Sequence, residues 1–273
     1  LENDAHILDV NVGVPGIDEA AAAAKTVLAL QAVTSAPLQI DTSDYATMER
    51  ALRLYNGKPL LNSVSGKEEA LAQVLPLAKK YGAVVVGLAL DDAGIPATAS
   101  GRLAVAEKIL ARAAEYGIEK RNIIIDPLAL TISTGPDNAA VDLEVIRALS
   151  AQKVKTIMGV SNISFGLPLR DAVNSIFLAL AMEAGLSCAI INPQSRAMLD
   201  TYYAYRALKG LDAGCKAYVR RFADAGAQVP AAKVSEYTLH DAIVKGLQEQ
   251  SRLAVTKLLE TEKPLDIINT QMI

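Results

Sequence analysis

Short apolar runs recur along this chain, most of them ending in aspartate or asparagine, and helical patterns separate them. The seven runs with strand composition begin at residues 7, 37, 60, 83, 122, 155 and 187. Apolar strands that alternate with helices are typical of a parallel sheet covered on both faces. This pattern predicts an α/β fold, a (β/α)8 TIM barrel, and the first of its eight strands is expected to precede Leu1 and to be missing from this chain.

An open doubly wound sheet is the alternative to a barrel. That fold usually carries a glycine-rich phosphate turn after its first strand, whereas DVNVGVPG in this chain does not have the GxGxxG spacing. The barrel is therefore favoured, over residues 1–225. A turn-rich linker over 226–233 and one helical pattern over 239–259, with Leu239, Leu247 and Leu253 on roughly one face, predict a helical extension in residues 226–273. The helical segments after Asn192 do not enclose a core by themselves, so we expect the extension to pack on the barrel, on a partner or on further sequence.

Composition and charge narrow the classes of partner. The 273 residues are 51% hydrophobic and 21% charged, which is typical of a packed globular protein. A net charge of -3 and the lack of a basic stripe argue against nucleic acid. The longest apolar stretches are too short to cross a bilayer, so no membrane partner is expected and the expected location is the cytoplasm. His6 and His240 lie at no metal-ligand spacing, and no metal site is expected.

The polar groups at the strand ends predict a small-molecule site. In a barrel the carboxyl ends of the strands face one pocket, and here they carry carboxylates and amides: Asp41, Asn62, Asp126 and Asn162. A carboxylate accepts two parallel N–H bonds and an amide both donates and accepts, so this set suits a flat neutral heterocycle with adjacent N–H donors and a carbonyl. A simpler role as helix N-caps stays open for Asp41 and Asp126. Lys155 is the first residue of its strand and should lie at the end of the barrel opposite to the site. This position argues against a Schiff-base aldolase.

Five separated motifs, in the same order, resemble the pterin-binding domain of the methyltetrahydrofolate-dependent corrinoid methyltransferases, a family that includes cobalamin-dependent methionine synthase. The resemblance covers roughly residues 1–210. The tail from Tyr237 to Ile273 resembles the start of the helical cap before a cobalamin-binding domain. The motifs are DVNVGVPGIDE (9–19), QIDTSD (39–44), LLNSVSG (60–66), IIIDPLAL (123–130) and GVSNISFGLP (159–168).

The resemblance implies a methyltransferase that binds 5-methyltetrahydrofolate and passes its N5-methyl group to cob(I)alamin, as in methionine synthesis. The cobalamin is expected on a partner domain or protein, because this chain lacks the Asp-x-His-x-x-Gly motif. The oligomeric state is left open, with a homodimer as one option. The implied roles are hydrogen bonds to the pterin edge from Asp41, Asn62 and Asp126, contact with N5 and catalysis by Asn162, contact with the ring or its tail by Arg170, and a pocket wall at Asn11.

Two other functions stay open. Dihydropteroate synthase shares the fold and the pterin recognition, but it would need a basic Ser-Arg-Lys-like segment near the last strands. This chain has NPQSRAML there, with Arg196 alone. A non-catalytic pterin-binding or corrinoid-docking module would bind without transferring a methyl group.

Overall fold

The computed structural model describes residues 5–223, 238–244 and 247–272. Its centre is one parallel sheet of seven strands in chain order. All seven predicted strands are present: β1 (Leu8–Asn11), β2 (Leu38–Asp41), β3 (Leu60–Ser65), β4 (Val84–Leu88), β5 (Ile123–Asp126), β6 (Lys155–Gly159) and β7 (Cys188–Ile190).

One helix follows each strand, as the apolar periodicity predicts. In the described ranges β1 and β7 each pair on one side only, so the sheet is a curled barrel that lacks one strand. This arrangement confirms the predicted fold class. The helices are α1 (Glu19–Val33), α2 (Tyr45–Leu54), α3 (Glu68–Tyr81), α4 (Ala99–Glu115), α5 (Asn138–Ala151), α6 (Arg170–Ala184) and α7 (Arg196–Leu208).

Capping residues set several of the helix ends. Asp18 and Asp44 begin α1 and α2 by accepting hydrogen bonds from the backbone N–H three residues later, at 2.9 and 2.8 Å. Gly82 and Gly185 end α3 and α6 in the left-handed conformation, with φ of 65° and 105°, which glycine adopts without a steric cost. Local sequence therefore fixes where these helices begin and end.

The strand register assigns each residue to one of two faces of the sheet. Alternate residues such as Val10, Ile40 and Leu61 face outward and belong to the main hydrophobic core, together with residues of the surrounding helices. The positions between them face inward. There Leu60 of β3, Val86 of β4 and Ile157 of β6 form a separate buried cluster. Because side chains alternate along a strand, the polar residues two positions from members of this inner set share its face.

The chain divides into two compact units, Leu1–Leu211 and Asp212–Ile273. The second unit contains α8 (Lys216–Phe222), α9 (Leu239–Val244), α10 (Gln248–Leu258) and α11 (Pro264–Ile267). The predicted linker over 226–233 lies outside the described residues, and a domain boundary at residue 225 stays a prediction. In the described ranges no helix combines the length and the apolar character needed to cross a bilayer.

The sequence pattern over residues 239–259 is wrong in one respect, because it predicts one apolar face along one helix. The structure has two helices there. Leu239 is buried, whereas Leu253 of the second helix is 61% exposed. Leu247 lies outside both helices, so the periodicity that links the two segments does not correspond to a shared face.

Candidate functional site

The first three strands place three predicted site residues in one row on the inner face. Asn11 and Asp41 end β1 and β2 and pair with each other, and Asp41 also pairs with Asn62, the third residue of β3. Asn11 Nδ2 donates a hydrogen bond to Asp41 Oδ2 at 2.9 Å. Within the described residues the side-chain amide of Asn62 makes no hydrogen bond, so its donors and its acceptor are free for a ligand.

Asp41 lies in an acidic neighbourhood. Burial raises the pKa of its carboxyl group, the hydrogen bond from Asn11 opposes that rise, and the nearby charge of Glu19 adds to it. Asp44, and not Asp41, is the N-cap of α2. The capping role that the sequence leaves open for Asp41 is therefore wrong, and its carboxylate is available for a ligand.

A β-bulge follows Asn62. The register of β3 against β4 shifts between Asn62, which pairs with Val86, and Val64, which pairs with Gly87. The Asn62–Ser63 peptide is cis. The extra residue leaves Asn62 on the inner face and returns the side chain of Val64 to the outer core, where it is fully buried.

Asp126 ends β5 two residues beyond Ile124, which lies in the row of Asn62 and Val86. Two strand residues span roughly 6.6 Å, so this carboxyl group stands nearer the open end of the barrel than Asn62 does. Its Oδ1 accepts a hydrogen bond from the Leu128 N–H at 2.7 Å, and its Oδ2 has no partner among the described residues. The capping role left open for Asp126 is wrong as well, because Asp137 is the N-cap residue of α5.

The ionisation of Asp126 is strongly affected by its surroundings. Burial raises its pKa to about 7, against the lowering effects of the Leu128 N–H and of the charge of Arg102. Loss of hydration penalises the charged form of a carboxyl group, and this penalty outweighs the two favourable interactions. Asp126 therefore changes its charge near neutral pH.

Asn162 lies on a short 3-10 turn, Val160–Ser164, that directly follows β6. Val160 and Ile163 anchor this turn in the core, with exposures of 0% and 1%. The side chain of Asn162 folds back over the strand end: a Cβ atom on Gly159 would lie only 3.0 Å from Asn162 Nδ2. The Asn162 amide is exposed and makes no hydrogen bond within the described ranges, so it is free to donate or to accept.

Arg170, at the start of α6, binds the loop that carries Asn162. Its Nε donates to Ser164 Oγ at 3.0 Å and its Nη2 donates to the Ser161 carbonyl at 2.7 Å. The guanidinium carbon lies 5.7 Å from the centre of the Phe165 ring. These three contacts hold the loop, which is a role that the sequence analysis did not foresee.

Sequence reasoning also missed Arg102. This residue shares a helical face with Val105, Ala106 and Ile109, and all four are buried. Its i, i+3, i+4, i+7 spacing from those apolar residues is the signal that could have identified it as an interior charge.

The match to known proteins points to one family. The model of the family described as pterin binding enzyme matches residues 1–192. Methionine synthase of Mycobacterium tuberculosis is 33% identical over 202 residues, which are 69% of this chain and 17% of that protein. Methylcorrinoid:tetrahydrofolate methyltransferase of Eubacterium limosum is 31% identical over 198 residues, which are 71% of this chain and 73% of that protein. The chain thus spans about a sixth of the methionine synthase and about three quarters of the second relative.

Solved structures with the same fold include two dihydropteroate synthases. The enzyme of Xanthomonas albilineans in complex with 7,8-dihydropteroate has a TM-score of 0.59 and 21% identity, over 76% of this chain and 80% of that one. The enzyme of Yersinia pestis has a TM-score of 0.57 and 14% identity, over 77% and 84%. At these identities the likeness concerns the fold alone.

Proposed function

The chain belongs to the family of pterin-binding enzymes, and we propose that it binds 5-methyltetrahydrofolate and transfers the N5-methyl group to cob(I)alamin on a corrinoid-binding domain or partner. One observation carries the proposal. The inner face of the sheet and the turn after β6 carry the carboxylates of Asp41 and Asp126 and the amides of Asn62 and Asn162, and these two amides and one oxygen of Asp126 have no hydrogen-bond partner among the described residues. A pterin ring has an edge of adjacent N–H donors with a carbonyl, which such a set satisfies.

The proposed roles follow from where each group stands. Asp126 accepts two N–H bonds from the pterin edge, and Asn62 and Asp41 satisfy the rest of that edge. Asn11 holds Asp41 through their 2.9 Å hydrogen bond and forms a wall of the pocket. Arg170 keeps the Asn162 loop in place, and Asn162 contacts N5.

Asn162 is the proposed catalytic residue because an amide adapts to either protonation state of N5. Tetrahydrofolate leaves as an amine, a poor leaving group unless N5 is protonated or hydrogen-bonded in the transition state. The amide donates to neutral N5 through its NH2 group or accepts from protonated N5 through its oxygen. The corrinoid of the partner supplies the nucleophile for the methyl group.

The direction of transfer depends on the partner. The name of the Eubacterium limosum relative specifies transfer from a methylcorrinoid to tetrahydrofolate. The same hydrogen bond serves both directions, since it stabilises one shared transition state. Within the proposal, residues 1–225 form the pterin-binding domain and residues 226–273 begin a helical cap next to a cobalamin-binding domain.

Dihydropteroate synthesis is the less favoured alternative. This reaction releases pyrophosphate, and a cationic side chain near the last strands would be needed to stabilise the negative charge of that leaving group. Arg196, the basic residue of the NPQSRAML segment, lies 3.4 Å from Asp200 in an exposed ion pair.

The proposal is tested by calorimetric titration of 5-methyltetrahydrofolate into the protein, followed by a transfer assay with added cob(I)alamin. We expect binding with a Kd on the order of micromolar and a methyl group recovered on cobalt. Binding without transfer in either direction would identify a non-catalytic module. Conversion of a pterin pyrophosphate and p-aminobenzoate to a pteroate would identify a synthase. No binding by the folded protein would contradict the proposal.

Affinity for 5-methyltetrahydrofolate is expected to fall in acid. The proposed ligand binds the ionised carboxylate of Asp126, whose pKa in the free protein is about 7. Protonation removes an acceptor, so below that pH the affinity should fall by about tenfold per pH unit. Titrations from about pH 6 to pH 8.5 measure this effect, above the range in which ordinary carboxyl groups titrate. The Asp126→Asn protein should have a flat profile, and a flat profile for the wild type would refute the assignment.

Gly159→Ala is expected to slow methyl transfer by about tenfold with a smaller effect on pterin affinity. The new Cβ would lie 3.0 Å from Asn162 Nδ2 and push the amide away from its position over the strand end, and small displacements of a reacting group are costly. Gly13→Ala is the matched control, because a Cβ there meets its nearest atom at an ordinary 3.7 Å. Equal rates for both variants and the wild type would show that the position of Asn162 does not matter.

A further inference from the structure

A completely buried arginine lies behind the proposed pterin site. The side chain of Arg102, in the first turn of α4, has 0% exposure. A positive charge near a helix N-terminus opposes the helix dipole, and burial of a charge costs free energy unless partners compensate for it. Both the helix dipole and burial therefore disfavour the Arg102 guanidinium at this position. Its hydrogen-bond partners indicate what role it has there.

Arg102 joins three segments through hydrogen bonds. Its Nε donates to the Pro96 carbonyl at 3.0 Å, and its Nη1 donates to the carbonyls of Pro127 and Leu128 at 2.8 and 3.2 Å. Nη1 also lies 2.5 Å from Oδ1 of Asp142, which is fully buried in α5. The arginine therefore connects the start of α4, the N-terminal half of α5 and the two residues that follow Asp126.

Leu128 links this pair to the site. Its N–H donates to Asp126 Oδ1, while its carbonyl accepts from Arg102. Its backbone is in the left-handed region, with φ of 68°, a conformation that is unfavourable for leucine. Both polar groups of the residue are fixed by side chains, and these bonds hold the unfavourable conformation.

We propose that the buried Arg102–Asp142 pair positions the Asp126 carboxylate toward the pterin and supports its charge. Arg102 is a positioning residue that acts through the backbone of residues 127 and 128, and Asp142 keeps the guanidinium in place. The inference rests on the proposed function, because it takes Asp126 as a ligand of the pterin edge.

The charged groups around Asp126 define the electrostatic part of the proposal. Arg102 faces it from α4 and lowers its pKa against the larger effect of burial. Asp142 faces it from α5, and the pKa of Asp142 is raised by burial and further by the charge of Asp126, against Arg102. On the neighbouring strands, β4 contributes Leu88 to the row of Asp126, and Lys155 of β6 is exposed and pairs two residues earlier, with Ile124.

The first experiment follows the Asp126 carboxyl carbon by NMR as a function of pH, without pterin, in the wild type and in two variants. Asp142→Asn keeps an acceptor for Arg102 but removes a negative charge, so the titration midpoint of Asp126 should fall by about one pH unit. Arg102→Met removes the positive charge, so the midpoint should rise. A purely structural pair would not shift the midpoint in opposite directions. An unchanged midpoint in the folded Asp142→Asn protein would overturn the proposal.

A double variant covers the case in which Arg102→Met alone fails to fold. Replacement of both partners by apolar residues, Arg102→Met with Asp142→Leu, leaves no unpaired charge and is compatible with folding. We expect the Leu128 amide to exchange with solvent about tenfold faster, and pterin affinity at pH 8 to fall about tenfold in protein that is still folded. Wild-type exchange and affinity in this variant would refute the positioning role. If the wild type binds no pterin while the NMR and exchange effects occur, the proposed function fails and the control of Asp126 by the pair stands.

Discussion

Replacement of Asn162 by alanine is expected to lower the rate of methyl transfer by about 100-fold to 1,000-fold and to change pterin affinity by only a few-fold. The amide is exposed, it has no partner within the described residues, and its turn is anchored by buried neighbours. Its loss therefore removes a hydrogen bond without disturbing the fold. A bond to N5 that strengthens as the amine leaves contributes to the transition state more than to substrate binding, and loss of one such donor typically costs on the order of 2 to 4 kcal/mol.

Single-turnover transfer to cob(I)alamin measures the rate, and calorimetry measures the affinity. Ser161→Ala is the matched control. The hydroxyl of Ser161 has no described contact, whereas its backbone carbonyl, which binds Arg170, is retained in the variant. Equal losses of rate and affinity in Asn162→Ala would show that the residue binds the ground state and is not catalytic.

Asp126→Asn is expected to lower affinity for 5-methyltetrahydrofolate by about 100-fold or more while the protein stays folded. The amide oxygen still accepts the Leu128 N–H, so the loop is retained. The NH2 group replaces the free oxygen, and it would face the N–H donors of the pterin. One acceptor oxygen is lost and the remaining one is no longer charged, and a hydrogen bond to a charged group is worth roughly 1.5 to 3 kcal/mol.

The stability of the Asp126→Asn protein should rise relative to wild type, although its affinity for the pterin falls. The pKa of Asp126 is about 7 in the folded protein, above the ordinary value of 3.8, so the wild type loses stability as the pH rises between these values. Asparagine has no such ionisation. The free energy of unfolding of the variant, relative to wild type, should therefore increase between pH 4 and pH 7 and stay higher at pH 8. Urea unfolding at about pH 5 and about pH 8 measures this difference.

Asp137→Asn is the control for this substitution, because it changes an exposed carboxylate in the same connection between β5 and α5. It should leave affinity for 5-methyltetrahydrofolate unchanged. A weakly binding Asp126→Asn protein with lower stability at pH 8 would indicate a general structural defect instead of a lost ligand contact.

The strands were predictable because a strand covered on both faces must be almost wholly apolar, so its first polar residue marks its end. Asp126 is such a residue and ends β5, whereas in β2 the buried Gln39 precedes the terminal Asp41. The same logic wrongly ends the third strand at Asn62. The strand continues to Ser65 after a bulge, and a bulge depends on the pairing of β3 with β4 and not on the sequence of β3 alone.

Long-range partners explain what the sequence could not predict. Asp142 is 40 positions from Arg102, and no local pattern connects them. Nothing in the segment of Arg170 shows that Ser161 and Ser164 would accept hydrogen bonds from it, and its expected contact with the pterin stays a prediction. The proposed ligand contacts of Asp41, Asn62, Asp126 and Asn162 stay predictions.

Leu128 has a consequence for attempts to engineer this protein. A leucine in the left-handed region costs roughly 1 to 2 kcal/mol that a glycine would not, so a search guided by thermostability alone would favour a change at this position. Yet the backbone of this residue connects Arg102 to Asp126. Glycine keeps both of these backbone groups, whereas proline lacks the N–H that Asp126 accepts, so glycine and not proline is the change that would raise heat resistance without loss of substrate affinity.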